Sequence, residues 1–138
     1  MDDLEKLMVL APSTLERFSL DGKVALVVGG TKGLGQAMAL GLAAAGADVC
    51  VASRGPAGLE ETQRAIESLG RRGRSFAVDV SLENEVVQMM SSIVEEFNGL
   101  DILVNSQGMN ILKPTTEYDV DDWQRVIDVN VKSVFLCC

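Results

Sequence analysis

The spacing of apolar positions changes several times along the chain, and each change marks an element. From Lys23 to Val28 the apolar run does not alternate, as a strand covered on both faces requires. Glycines follow, and the stretch from about Gly33 to Ala45 is small and apolar on nearly every side before Gly46, which predicts a helix. The unit then repeats. Val49 to Ala52 predicts a second strand, and Leu59, Ile66 and Leu69 mark the sheet-facing side of a helix with Gly70 beyond its end. Phe76 to Val78 predicts a third strand. Ser81 is the expected N-cap of a helix whose inner face is Val86, Met90, Ile93, Val94 and Phe97. Ile102 to Val104 predicts a fourth strand, and Asp119 caps a final helix with the stripe Trp123, Val126, Ile127, Val131, Val134, Phe135 and Cys138. Near the start, Leu4, Leu7, Met8 and Ala11 share one helical face before Pro12, which predicts a short surface helix over 4–11.

Strands alternating with helices through short connections predict an α/β fold with an open parallel sheet. No repeat, low-complexity stretch or second domain interrupts it. Residues 1–17 read as an N-terminal extension, and 18–138 as the front part of one domain. The chain stops inside an amphipathic helix, with no glycine, proline or polar stop signal. That reads as a truncation after the fourth βα unit.

Composition narrows the chemistry. Hydrophobic residues make up 47% and aromatics only 4%, so the core is built from aliphatic side chains and Met; mean hydropathy is +0.19. A net charge of −8 leaves no basic stripe for nucleic acid. Histidine is absent, which excludes Ser-His-Asp and Cys-His nucleophile systems and argues against zinc chemistry. Cys50, Cys137 and Cys138 have neither zinc-finger nor disulfide-framework spacing, so a reducing compartment is expected. No apolar run reaches the ~18 residues of a membrane span. The start, Met1-Asp2-Asp3, lacks the positive charge of a secretory signal. The expectation is a cytoplasmic protein with no membrane and no nucleic-acid partner.

Between the first strand and its helix the chain reads Val28-Gly29-Gly30-Thr31-Lys32-Gly33-Leu34-Gly35. No Gly-Lys-Ser/Thr follows, so it is not a P-loop, and its glycine spacing is not G-x-G-x-x-G. The physics is shared with the latter. Gly29 permits a sharp turn, Gly33 lets backbone approach a pyrophosphate, and Gly35 lets the helix pack on the sheet. The helix N-terminus offers free N–H groups to the anion.

At this point the chain resembles the short-chain dehydrogenase/reductase family, whose loop reads T-G-x-x-x-G-x-G. Three more segments match in order: Asp79-Val80, where the family binds adenine; Asn105-Ser106-Gln107-Gly108, where the family has Asn-Asn-Ala-Gly; and Asp128-Val129-Asn130-Val131, where it carries a catalytic asparagine. The resemblance covers 18–138 and is closest to gluconate 5-dehydrogenase-like members, then 3-oxoacyl-carrier-protein reductase-like ones. It implies a Rossmann-type doubly wound sheet with strand order 3-2-1-4. Thr31 and Leu34 fall within the implied cofactor loop. Val28 replaces a threonine that ties the turn, and Ser106 and Gln107 replace Asn and Ala beside the nicotinamide ribose; cofactor binding is expected to survive both.

Sites specific for NAD place a carboxylate at the end of strand two. That place falls at Ser53, with Arg54 next and no acid. Arg54 can fork onto a 2′-phosphate, and Lys32 sits in the glycine loop where NADP-preferring relatives often carry a base. The resemblance thus implies NADP(H) rather than NAD(H). It also implies an Asn-Ser-Tyr-Lys tetrad, of which only Asn130 lies within the chain, placed in the apolar stripe and expected to point inward. Tyr118 is followed four residues later by Asp122, not lysine, and reads as a packing residue.

The implied whole protein transfers hydride between nicotinamide and a secondary alcohol or ketone, of the sugar-acid or polyol class, and works as a dimer or tetramer. The 138-residue chain alone is expected to be inactive. Two alternatives stay open: a non-catalytic dinucleotide-binding or interaction module, and a 3-oxoacyl-carrier-protein reductase, which would need a basic docking patch that −8 leaves little room for.

Overall fold

The computed structural model describes Glu5 and residues 16–138; the helix expected over 4–11 lies outside them apart from Glu5. Four strands, β1 (Val24–Val28), β2 (Asp48–Ser53), β3 (Gly73–Ala77) and β4 (Ile102–Asn105), form one sheet in the order β3-β2-β1-β4. Every pairing is parallel, with Leu26 opposite both Cys50 and Leu103. This is the Rossmann-type arrangement expected from the chain.

Helices cover both faces. Alternate residues of β1 explain the division, because successive side chains of a strand point to opposite sides. Val24, Leu26 and Val28, with Cys50 and Ala52, pack on α3 (Glu83–Phe97) through Val86, Met89, Ile93 and Phe97, and on α5 (Ser133–Cys137) through Cys137. Ala25 and Val27, with Val49 and Val51, pack on α1 (Gly33–Ala44) through Ala39 and Ala43, and on α2 (Leu59–Ser68) through Leu59 and Ile66. All five residues of β1 are buried.

Several expectations are corrected. Strand β3 begins at Gly73, three residues ahead of Phe76, and ends at Ala77. The reason is Asp48 at the start of β2. Its carboxylate accepts from the Arg72 N–H (2.9 Å) and from Arg72 Nε (2.7 Å), while the guanidinium lies 4.4 Å from the Phe97 ring centroid. A polar run can then pair at the sheet edge, where charged residues are tolerated. Ser81 is not the cap of α3; that position is Leu82, without a side-chain cap. The inner face of α3 contains Met89, whereas Val94 is 54% exposed, and Met90 only packs against the core's edge. Leu69 also lies largely outside, one residue past the end of α2.

The final helical segment departs most. Asp119 caps α4 (Val120–Ile127) as expected, its Oδ1 accepting from the Asp122 N–H at 2.8 Å. A π turn over Asp128–Lys132 then joins α4 to α5. One wider turn shifts the helical phase. Trp123, Val131 and Phe135 are 54%, 57% and 78% exposed, and Cys138 is exposed too, while Ser133 and Cys137 take the buried positions. Among the described residues no helix is long and apolar enough to cross a membrane, and no cluster of His, Cys, Asp and Glu could hold a metal ion.

Candidate functional site

All four strands point their C-terminal ends to the same edge of the sheet, and β1 and β4 are neighbours although α1, β2, α2, β3 and α3 separate them in sequence. Such a point leaves a crevice outside the strand ends. Here it is a cleft of about 600 Å³.

The floor is the turn after β1. Backbone ties hold it to both neighbouring strands: the Gly29 N–H donates to the Ala52 carbonyl (2.8 Å) and the Ser106 N–H to the Val28 carbonyl (2.9 Å). The turn is therefore fixed although Val28 offers no hydroxyl. Gly29 has φ +80°, and a Cβ there would lie 2.8 Å from the Ser106 carbonyl and the Gln107 nitrogen. Gly35 is required for a different reason from the one expected. A Cβ on it would run into the Gly29 carbonyl and would also lie 3.2 Å from the Ser106 hydroxyl, so Gly35 packs on the turn itself. At Gly33 a Cβ would meet nothing, since that side is open.

Helix α1 starts at this opening. Lys32 holds the cap position without a side-chain hydrogen bond, and the first turn carries no acid. The first N–H groups of a helix have no partner within it and carry positive partial charge. Thr31, Lys32, Leu34, Ser53 and Arg54 line the same cleft. Among the described residues neither Lys32 nor Arg54 is held in an ion pair. The far wall holds Asp79 and Val80 after β3, with Gly108 after β4.

Asp79 is locally fixed. Its Oδ1 accepts from the Ser81 N–H (3.0 Å) and hydroxyl (2.7 Å), and its own N–H donates to Glu85 (2.8 Å). Partial burial pushes its pKa up, but the Ser81 hydrogen bonds and the Arg54 and Lys132 charges outweigh this and hold the carboxyl below its ordinary value. It is therefore a carboxylate at neutral pH. Ser81, expected to cap α3, instead closes this Asx turn, and the Asp-x-Ser spacing was its signal.

Two expected residues lie off the cleft's lining. Asn105 ends β4 and its Oδ1 accepts from Gln107 Nε2 at 3.2 Å. Asn130 sits in the π turn and, contrary to expectation, is exposed. Its amide accepts from the Met109 N–H (2.9 Å) and donates to the Met109 carbonyl (2.8 Å), pinning the turn after β4. Tyr118 has Lys113 Nζ 5.6 Å from its ring centroid and is half-buried. The cleft also includes Gln107, Met109 and Val129, which the sequence did not single out as ligands. Gln107 was noted only as a departure from the family pattern, and Met109 and Val129 were signalled only by their neighbours Gly108 and Asn130.

The residues fit a dinucleotide: an uncapped helix start, an open glycine beside it, two unpaired cations and a carboxylate on the opposite wall. Comparison with known proteins agrees. Residues 23–138 match the short chain dehydrogenase family. The chain is 40% identical over 126 residues to the 2-dehydro-3-deoxy-D-gluconate 5-dehydrogenase of Escherichia coli K12, covering 88% of this chain and 47% of that protein. It is 39% identical over 120 residues to 3beta-hydroxysteroid dehydrogenase 1 of Eggerthella lenta, covering 86% of this chain and 46% of the relative. A solved short chain dehydrogenase of Burkholderia cenocepacia J2315 in complex with NADP superposes with a TM-score of 0.82 at 37% identity, covering 86% of this chain and 49% of the other. The chain thus spans about half the length of the curated relatives it matches.

Proposed function

Since this chain belongs to the short-chain dehydrogenase/reductase family, we propose that the whole protein is an NADP(H)-dependent oxidoreductase acting on a secondary alcohol or ketone of the sugar-acid or polyol class. The observation that carries the cofactor choice is the charge at the end of β2. Ser53 closes that strand, Arg54 follows, and Lys32 lines the same cleft, with neither cation held in an ion pair among the described residues. The identity to gluconate dehydrogenases supports the substrate class.

Bound there, the nicotinamide group supplies hydride exchange. The chain's own residues hold the rest of the molecule. The N–H groups at Gly33, Leu34 and Gly35 face the pyrophosphate. Thr31 shapes the turn, and Lys32, Ser53 and Arg54 take the 2′-phosphate. Asp79, with one oxygen committed to Ser81, would keep the other for the adenine amine, and Val80 would hold the adenine ring. Asn105 and Gly108 hold the ribose side. Asn130 fixes the Met109 turn through its side chain and leaves its backbone to anchor a proton-carrying water.

A second reading has its own support. The sole tyrosine, Tyr118, has Asp122 four residues on, and its ring is engaged by Lys113. We propose that the 138-residue chain alone binds dinucleotide without turning over substrate. Self-association of the whole protein, as a dimer or tetramer, is proposed on the family resemblance. Its location is proposed as cytoplasmic.

The test is Arg54→Asp. NADPH affinity should fall by about tenfold to a hundredfold, the loss of a charge-assisted hydrogen bond of ~1.5–3 kcal/mol, while NADH affinity holds or rises. Fluorescence titration with both cofactors measures it. A wild-type preference for NADH overturns the NADP(H) assignment.

A further inference from the structure

Gln107 lines the cleft and carries a buried acceptor without a partner. Two buried side-chain atoms among the described residues lack a partner, Arg71 Nε and Gln107 Oε1. The first belongs to a guanidinium that already makes ion pairs to Asp21 and Asp48. The second belongs to a residue that lines the cleft.

The direction of the Gln107 amide is fixed by proton counting. Ser133 is fully buried, and its hydroxyl donates to the Val129 carbonyl at 2.5 Å. A hydroxyl has one proton, so towards Gln107 Ser133 can only accept. Gln107 Nε2 meets that need at 2.9 Å and also donates to Asn105 Oδ1 at 3.2 Å. Turning the amide over would set Oε1 against Ser133 Oγ with no proton between them. Oε1 is therefore the free edge. A buried acceptor with no donor is costly, and native structures nearly always supply one.

The donor's identity follows from position. The backbone of Gln107 touches the glycine turn, for a Cβ on Gly29 would lie 2.8 Å from the Gln107 nitrogen. Arg54 and Asp79 serve the adenosine end and α1 the pyrophosphate, so the remaining half of the ligand falls on the β4 side. Resting on the proposed dinucleotide function, we infer that Gln107 is a cofactor-positioning residue whose Oε1 accepts a hydrogen bond from the nicotinamide-ribose half, with Ser133 holding the amide in the accepting orientation.

The experiment is titration of the wild type, Gln107→Met, Ser133→Ala and the double variant with NADPH and with two half-ligands, reduced nicotinamide mononucleotide and 2′,5′-ADP. Melting temperatures verify that each variant is folded. Gln107→Met should weaken NADPH and the mononucleotide by about tenfold, about 1.4 kcal/mol, and leave 2′,5′-ADP unchanged. Ser133→Ala should weaken NADPH by about threefold, with no further loss in the double variant, because both act through one amide. A shift in melting temperature with unchanged affinity for NADPH and for the mononucleotide makes Gln107 a core amide and overturns the inference. So does an equal loss for 2′,5′-ADP. A wild type that binds neither NADPH nor NADH overturns the dinucleotide function itself, and that result is distinguishable because it precedes any variant.

Discussion

Strands β1 and β4 lie side by side, both aliphatic, yet their surroundings differ. Every residue of β1 is buried, between β2 and β4 at its edges and between α1 and α3 on its faces, whereas all four residues of β4 are half-buried. The helices associated with them differ in the same sense. Helix α1 seats Gly35, Ala39 and Ala43 four residues apart and lies close to the sheet, while the helix beyond β4 turns Trp123, Val131 and Phe135 outward. Composition is similar on the two sides; neighbours decide burial. On the β1 side backbone hydrogen bonds to both neighbouring strands fix the turn, and beyond β4 the segment at Gln107 and Met109 is tied by side-chain hydrogen bonds.

Substitutions in the two strands should separate these regimes. Leu26→Ala, at a position with no exposure, should cost about 2–5 kcal/mol, while Leu103→Ala, opposite it in β4, should cost roughly half as much or less because its site is partly open. Urea denaturation of both variants checks this. Equal costs would show β4 to be as tightly packed as β1.

Glycines in α1 sharpen the point within one helix. Gly35→Ala drives a methyl into the Gly29 carbonyl and should cost about 1–3 kcal/mol, with loss of NADPH binding as the turn opens. Gly41→Ala meets open space and should instead stabilise by about 0.5–1 kcal/mol. Calorimetry and cofactor titration on the pair distinguish a close contact from a general dislike of side chains.

The smallest expected effect is at the sheet's far edge. Burial raises the Asp48 pKa, but the Arg72 hydrogen bonds and the Arg72 and Arg71 charges more than reverse this, and the carboxyl sits below its ordinary value. A carboxyl lowered in the folded state stabilises above its unfolded pKa, and that contribution is lost as pH falls through the folded value. Asp48→Asn should therefore cost on the order of 1 kcal/mol at neutral pH, with the difference from wild type closing as the pH falls through the lowered folded value. Stability curves at several pH values test it; a constant difference would mean that charge at Asp48 is irrelevant.

What was legible in the sequence follows the same division. The unalternating run of β1, the glycine turn and the Asp119 cap are local signals that gave the elements, while the family resemblance implied the strand order and most of the cleft residues. The start of β3 was hidden because Arg72 and Arg74 look like solvated charges until Asp48, Phe97 and Glu96 are beside them. The outward face of Phe135 was hidden because the π turn over Asp128–Lys132 shifts the helical phase after it, which a 3.6-residue period does not show. Gln107 was noted as a departure beside the ribose, but its partner Ser133 stands 26 residues further on, and only the folded chain brings the two together.

Cys50 gives this molecule a built-in clock. It lies at the centre of β2, opposite Leu26, with no exposure, and burial together with the Glu96 charge raises its thiol pKa to about 12. Only the thiolate is reactive towards alkylating reagents, so modification there waits for the sheet to come apart. Cys138, exposed at the other extreme, reacts without any opening. The ratio of the two labelling rates in one sample therefore reads how often the central sheet opens. A ligand seated over the strand ends slows the Cys50 rate in proportion to its occupancy.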